Sequence, residues 1–147
     1  MIKMNRTTEY GLIALRHISR RHSTDPNGVT SAREIADYYG LPFEITAKTL
    51  QRPKESGLID SAHGARGGYT LQKPLTEVTL AEFLEVMEGP QAIVACGAPV
   101  VAEGVLEGSN CVYHGKCEIK GLMTNLNTRV LGFLSGIRLT DLIERES

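Results

Sequence analysis

The stretch from Ser31 to Gln72 limits the possible folds of this chain more than any other part, because its turn and cap residues fall at positions that leave little choice. Ser31-Ala32-Arg33-Glu34 has the spacing of a capping box, in which a hydroxyl and a carboxylate satisfy free amides at a helix start. The helix it opens buries Ile35 and Ala36 and stops at Gly40. Leu41-Pro42 follows, and proline suits a first helical turn because its missing N–H has no partner there. The next helix is expected from about Phe43, with Ile45, Thr49 and Leu50 on one side. Two short helices around a glycine-containing turn match a helix-turn-helix. Beyond them, residues 57–62 and 68–72 are strand-like runs flanking the glycine-rich segment His63-Gly-Ala-Arg-Gly-Gly68, which predicts a two-stranded hairpin, a "wing".

On either side of this unit the periodicity is helical. From Thr7 to Arg21 the residues Tyr10, Ile13, Ala14, His17 and Ile18 form a stripe, with Arg16 and Arg20 off it. Residues 23–30 are polar and read as a loop. Thr79-Leu80-Ala81-Glu82 is a second capping box, opening a helix with Leu80, Phe83, Leu84 and Met87 inward and ended by Gly89-Pro90. Residues 90–117 then change character: small, glycine-studded, without a clear period, and carrying Cys96, Cys111 and Cys117. Loops of that length are unusual in a compact domain and are generally functional or disordered. Ile119, Leu122, Met123, Leu126, Val130 and Phe133 mark a long helix near 118–136, and Thr140-Asp141-Leu142-Ile143 reads as a short capped tail. So long an apolar helix has few partners within one chain, and pairing with its copy in a second subunit buries it economically. The expected fold is mainly α with a small β-hairpin wing: a winged helix-turn-helix plus a long C-terminal dimerisation helix. Residues 1–78 form the expected DNA-binding domain, and residues 79–147 hold the cysteine loop (90–117) and the dimerisation region, all in one continuous fold.

Charge indicates which half meets a polyanion. Residues 1–73 carry 11 Lys and Arg against 7 Asp and Glu, whereas residues 74–147 carry 5 against 10. Aromatic residues make up 5% of the 147 and there is no Trp, which argues against a stacking platform for single strands. The longest uncharged stretch, Gly89 to Ala102, has 14 residues, short of the roughly 20 of a membrane span. Glu9, Arg16 and His17 interrupt any leader-like apolar run. A cytoplasmic location without a membrane partner is expected, and in that reducing compartment cysteines serve as thiols or ligands. No Ser/His/Asp grouping, phosphate loop or HExxH motif points to an enzyme or a nucleotide cofactor.

A recognition helix enters the major groove with its N-terminal part, which here offers Glu44, Thr46, Ala47 and Lys48, with Gln51 and Arg52 further along. Gln pairs with adenine and Arg with guanine, while Lys suits phosphate; alternatively these residues are a solvated helix face. Arg66, between glycines at the wing tip, suits a minor groove, with His63 as its companion. Pro53 removes an amide bond to the Thr49 carbonyl, so the helix is expected to end near Arg52 or to kink there.

Cys96-x14-Cys111-x5-Cys117 lacks the Cys-x2-Cys pairs of zinc ribbons and does not match a thioredoxin-like redox pair. On spacing alone, two readings stand: an iron–sulfur cluster short of one ligand, or three unrelated thiols. The order TTEYGLIALRHI, SAREIADYYGLP, GLIDSAHGARGGYTL, EVMEGPQAIVAC, then a cysteine loop and a long helix, resembles the IscR/NsrR family of bacterial winged-helix regulators. The resemblance runs from about Met4 to Ile143, and MEGPQAIVAC is similar to members that regulate iron–sulfur assembly operons. It implies a homodimer binding a double-stranded DNA operator. It also implies a 2Fe–2S or 4Fe–4S cluster on Cys96, Cys111 and Cys117 of one subunit, with a fourth, non-cysteine ligand. In NsrR-like relatives that ligand is a carboxylate near the N-terminus of the other subunit, which falls on Glu9. IscR-like relatives use a histidine just after the third cysteine; residues 118–121 offer none, and His114 between the last two cysteines is the alternative. The 14 residues between Cys96 and Cys111 exceed the commonest family spacing, and not every member binds a cluster. A cluster-free regulator using thiols or a partner, and an electron-transfer protein with an incidental winged helix, are the competing expectations.

Overall fold

Asn5 starts the first helix by accepting a hydrogen bond from the Thr8 amide at 2.8 Å, so α1 spans Arg6–Thr24. In the computed structural model, residues 3–62, 67–91 and 118–143 are described. The buried side of α1 is Thr8, Gly11, Ala14, Leu15, Ile18 and Ser19, whereas Tyr10, Ile13 and His17 are half-exposed. The expected stripe is therefore rotated. Gly11 gives the reason: a Cβ there would stand 3.0 Å from Met87 Cε and 3.1 Å from Phe83 Cζ, so α1 turns its small residues toward the bulky side chains of α4 (Leu80–Glu88).

Ser31 caps α2 (Ala32–Tyr39) by accepting from the Glu34 amide at 3.0 Å, as its spacing predicts. The Glu34 carboxylate instead meets Arg21 at 3.2 Å and His17 at 3.8 Å, and so ties α2 to α1. Gly40 ends α2 at φ +67°, a left-handed conformation that only glycine adopts without strain. After Leu41, α3 spans Phe43–Glu55. It continues through Pro53 rather than stopping before it. The Pro53 ring is fully buried, and its carbonyl accepts from the Leu58 amide at 3.0 Å and the Ser56 hydroxyl at 2.9 Å. Burial of the ring offsets the hydrogen bond its nitrogen lacks.

The hairpin pairs β1 (Ile59–Ala62) with β2 (Gly68–Leu71) in antiparallel register, Ile59 opposite Leu71 and Ala62 opposite Gly68. Thr30 adds a third row by exchanging two bonds with Tyr69, at 3.0 and 2.7 Å. Gly68 permits this approach, since a Cβ there would lie 2.8 Å from the Thr30 carbonyl carbon and oxygen. A 3-10 turn at Leu75–Glu77, not foreseen from the sequence, buries Leu75 and leads into α4. Thr79 caps α4 by accepting from the Glu82 amide at 3.1 Å, while the Glu82 carboxylate pairs with Lys73 at 3.7 Å.

The later helices are α5 (Lys120–Ser135) and α6 (Leu139–Ile143). The chain returns to the start of α4 here: the Leu80 amide donates to Ile137 O at 2.8 Å and the Leu139 amide to Val78 O at 2.9 Å. Leu139 and Ile143 join Leu15, Ile35, Leu50 and Phe83 in a single core cluster. Burying each such side chain contributes roughly 1.5–3 kcal/mol. Thr140 does not act as a cap. It lies within α6, and its Oγ1 is buried without a hydrogen-bond partner.

Candidate nucleic-acid interface

The geometry of α3 decides which of its residues can reach a ligand. Thr46, Thr49, Leu50 and Pro53 face the core, whereas Glu44, Ile45, Lys48, Gln51 and Arg52 are exposed. Thr46, expected on the reading edge, is instead 2% exposed, with its hydroxyl donating to Pro42 O at 2.8 Å. Thr49 makes the equivalent bond to Ile45 O at 2.7 Å. Each hydroxyl is satisfied by its own helix, which lets a threonine serve as an apolar residue in the core. Ile45, expected inward, is 45% exposed for the complementary reason that Thr46 and Thr49 take the inner face.

Gln51 Nε2 donates to the Tyr69 hydroxyl at 3.4 Å, which ties the outer edge of α3 to wing strand β2. Arg52 was also expected to read bases. Its Nη1 donates instead to Met87 O at 3.0 Å, in the last turn of α4. A cation there complements the negative end of the helix dipole and satisfies a carbonyl that has no intrahelical partner. Glu44 and Lys48 remain exposed. Between α2 and α3, Arg33 stacks on Phe43, its guanidinium carbon 3.9 Å from the ring centroid. That contact holds a cation at the entrance to the recognition helix. Sequence reading missed Arg33 because it looks like the interior of a capping box, and nothing in the local pattern points to a ring ten positions away. Tyr69 was missed because it reads only as a strand residue.

His17, Tyr38 and Tyr39 cluster on the outer side of α1 and α2, with ring centroids 4.8–5.5 Å apart. The Tyr39 hydroxyl lies 3.3 Å from His17 Nδ1. Burial pushes the Tyr39 phenol above its ordinary value and Tyr38 adds to this, against the opposing influence of Arg16 and Arg20.

His63 and Arg66 at the wing tip lie outside the described residues, as do Cys96, Cys111, Cys117 and His114. Glu9 is described. It stands exposed in the first turn of α1, with its carboxylate 4.0 Å from Arg6 Nε. Among the described residues no group of three metal-ligating side chains comes together, and no helix is long and apolar enough to cross a membrane. The α5 stripe faces solvent at Leu122 (65% exposed) and Phe133 (69%), with Leu126 also exposed. Beside it lies a groove of about 410 Å³ lined by Met4, Leu80, Leu84, Val130, Phe133 and Leu134 among others.

The family model described as Rrf2, iron-dependent transcriptional regulator, matches residues 4–145. Among curated proteins, the chain is 27% identical to the transcriptional regulator IscR of Photorhabdus laumondii over 119 residues, covering 81% of this chain and 67% of that one. It is 26% identical to the transcriptional repressor NsrR of Streptomyces coelicolor over 143 residues, covering 94% and 88%. Among solved structures, CymR, the global cysteine regulator of B. subtilis, superposes with a TM-score of 0.71 at 23% identity, over 100% of both chains. IscR of T. potens superposes with a TM-score of 0.66 at 18% identity, over 97% of this chain and 87% of the other.

Proposed function

Because the chain belongs to the Rrf2 family of transcriptional regulators, and is a regulator rather than an enzyme, we propose that it acts as a cytoplasmic homodimer whose operator binding is set by an iron–sulfur cluster. The observation that carries the DNA-binding part is the recognition edge itself. Glu44, Lys48 and Gln51 are exposed along α3, and Gln51 is braced against the wing through Tyr69. Lys48 supplies a phosphate contact and Gln51 a base contact, with Arg33 added at the helix entrance and His63 and Arg66 at the wing. The exposed α5 stripe supports the dimer, since Leu122, Leu126 and Phe133 need a partner surface.

Cys96, Cys111 and Cys117 would hold the cluster, with Glu9 of the partner subunit as fourth ligand and His114 as the alternative. The chemistry of the donor set fits: three thiolates bind iron strongly, and Glu9 is an exposed carboxylate 4.0 Å from Arg6 Nε. When bound, the cluster supplies a centre open to oxygen or nitric oxide at its carboxylate side, because oxygen is a harder and weaker ligand for that iron than thiolate. A Glu9 carboxylate shared with the cysteines of the partner subunit would tie the two subunits at α1. Loss of that tie would allow the two recognition helices a different spacing, a shift between two dimer geometries.

The test is an anaerobic preparation examined by visible absorption and by titration with genomic DNA across ionic strength. A cluster chromophore and a steep fall of affinity with salt are expected; a flat salt response counts against Lys48 and Arg66 as contacts. Replacing Glu9 by Ala weakens the cluster, and unchanged cluster stability removes Glu9 from the ligand set. The likeness in fold to CymR, also solved from Staphylococcus aureus in an oxidised form, favours a second reading in which the cysteines act as thiols. An absent chromophore together with oxidant-dependent DNA binding would select it.

A further inference from the structure

We infer that Ile45 is a specificity-determining residue that reads the 5-methyl group of a thymine in the operator. The inference rests on the reading of α3 as the recognition helix. Ile45 is the third residue of α3 and lies between Glu44 and Lys48 on its exposed side, with Lys48 one turn further on. Thr46, Thr49 and Leu50 fill the inner face and Ala47 packs against the core, whereas Ile45 is exposed and takes no part in it. Of the other large apolar side chains exposed on α2 and α3, Tyr38 packs on His17 and Tyr39, and Phe43 carries the Arg33 guanidinium. Ile45 is therefore the open apolar surface of the reading edge.

An apolar side chain at that position has one complementary group in a major groove. All four bases present donors or acceptors there, and only thymine adds an apolar methyl group. Against another base Ile45 would cover polar atoms and give them no partner, so the same side chain favours thymine and disfavours its replacement. Helical side chains lean toward the N-terminus, which places Ile45 over the first turn of α3, the part that enters the groove. Its branched Cβ restricts the side chain to few rotamers in a helix, so contact costs little freedom. Gln51, tied to the Tyr69 hydroxyl, and Arg52, tied to Met87 O, hold the other end of α3 against the wing and α4. The flanking residues do different chemistry: Glu44 accepts from a base amine and Lys48 holds a phosphate, so neither reads a methyl group.

The test uses the full-length protein and a double-stranded operator selected from random DNA. Each thymine of the half-sites is replaced in turn by deoxyuridine, which keeps the base pair and removes only the methyl group. Affinity is measured by fluorescence anisotropy at one salt concentration for wild type, Ile45→Ala and Ile45→Val. In wild type, deoxyuridine at one thymine position of both half-sites is expected to weaken binding about fifteenfold, or about fourfold for each methyl group no longer buried. In Ile45→Ala the same replacement weakens binding less than about twofold, and Ile45→Val, which keeps both branches at Cβ, retains most of the wild-type loss. Ile45 lies outside the core, so neither substitution disturbs it. An equal deoxyuridine effect in wild type and Ile45→Ala assigns the methyl group to another residue and overturns the inference, with α3 still a DNA reader. Wild-type binding that is indifferent to deoxyuridine at every thymine overturns it as well. Failure to select any operator contradicts the recognition-helix reading and the role of Ile45 with it.

Discussion

Replacing Gly68 by Ala tests the closest backbone approach in the wing. The new Cβ would sit 2.8 Å from the carbonyl carbon and oxygen of Thr30 and 3.0 Å from Ser31 N, all main-chain atoms. Ordinary contact begins near 3.4 Å, so the Thr30 backbone must retreat by about 0.6 Å. That retreat stretches the two Thr30–Tyr69 bonds, now 3.0 and 2.7 Å, and pulls on Ser31, the cap of α2. Overpacking of this kind costs about 1–3 kcal/mol, and each weakened bond adds up to about 1 kcal/mol. A loss of about 3 kcal/mol is expected, which for a chain of this size lowers Tm by about 6–12 °C. Thermal unfolding followed by far-ultraviolet circular dichroism reads it directly. Gly121→Ala in α5, where a Cβ meets nothing within 4 Å, is the control and is expected to be neutral or slightly stabilising. A Gly68→Ala protein melting within about 2 °C of wild type would refute the close approach and the three-row wing built on it.

Three further predictions concern other elements. Ser31→Ala and Thr79→Ala each remove a cap bond, of 3.0 and 3.1 Å, and are expected to destabilise by about 1 kcal/mol apiece in denaturant unfolding; no change in midpoint contradicts the capping account. Phe133→Asp puts a charge on the exposed α5 stripe and is expected to shift sedimentation from dimer to monomer without changing helical content. Tyr39 titrates higher in the folded chain than its ordinary 10.0, so the unfolded chain loses this proton first. Stability from this group is full below about pH 10 and falls as pH rises toward the folded value; Tyr39→Phe removes that part of the alkaline decline in Tm.

The features legible in the sequence are those with a local cause. Ser31, Thr79 and Gly40 act within four residues of themselves, and each does in the structure what its type and spacing predict. The hairpin follows Gly57 and pairs Ile59–Ala62 with Gly68–Leu71, inside the two runs its composition predicts. The errors arise where the cause is distant. The inward face of α1 is set by Met87 and Phe83, so counting apolar residues chose Tyr10 and Ile13 over Gly11 and Ser19. Thr46 is the exception, with a partner only four residues away: it looks polar, yet its hydroxyl donates to Pro42 O and the side chain is buried. Pro53 looks like a helix end, yet burial of its ring keeps it inside α3. Arg52 has the composition of a base reader and the geometry of a brace, because its partner is a carbonyl 35 residues away. Leu139 and Ile143 complete a core whose other buried members lie between Ala14 and Met87, which no local period reveals.

The central claim is that DNA binding is conditional on the cysteine segment. The most direct measurement is operator affinity, by fluorescence anisotropy at fixed salt, for one anaerobic preparation before and after chelation of its iron. The account predicts that the two affinities differ by at least about fivefold and that Cys111→Ser abolishes the difference. Identical affinities before and after iron removal, in a preparation shown to carry the chromophore at the start, would contradict it.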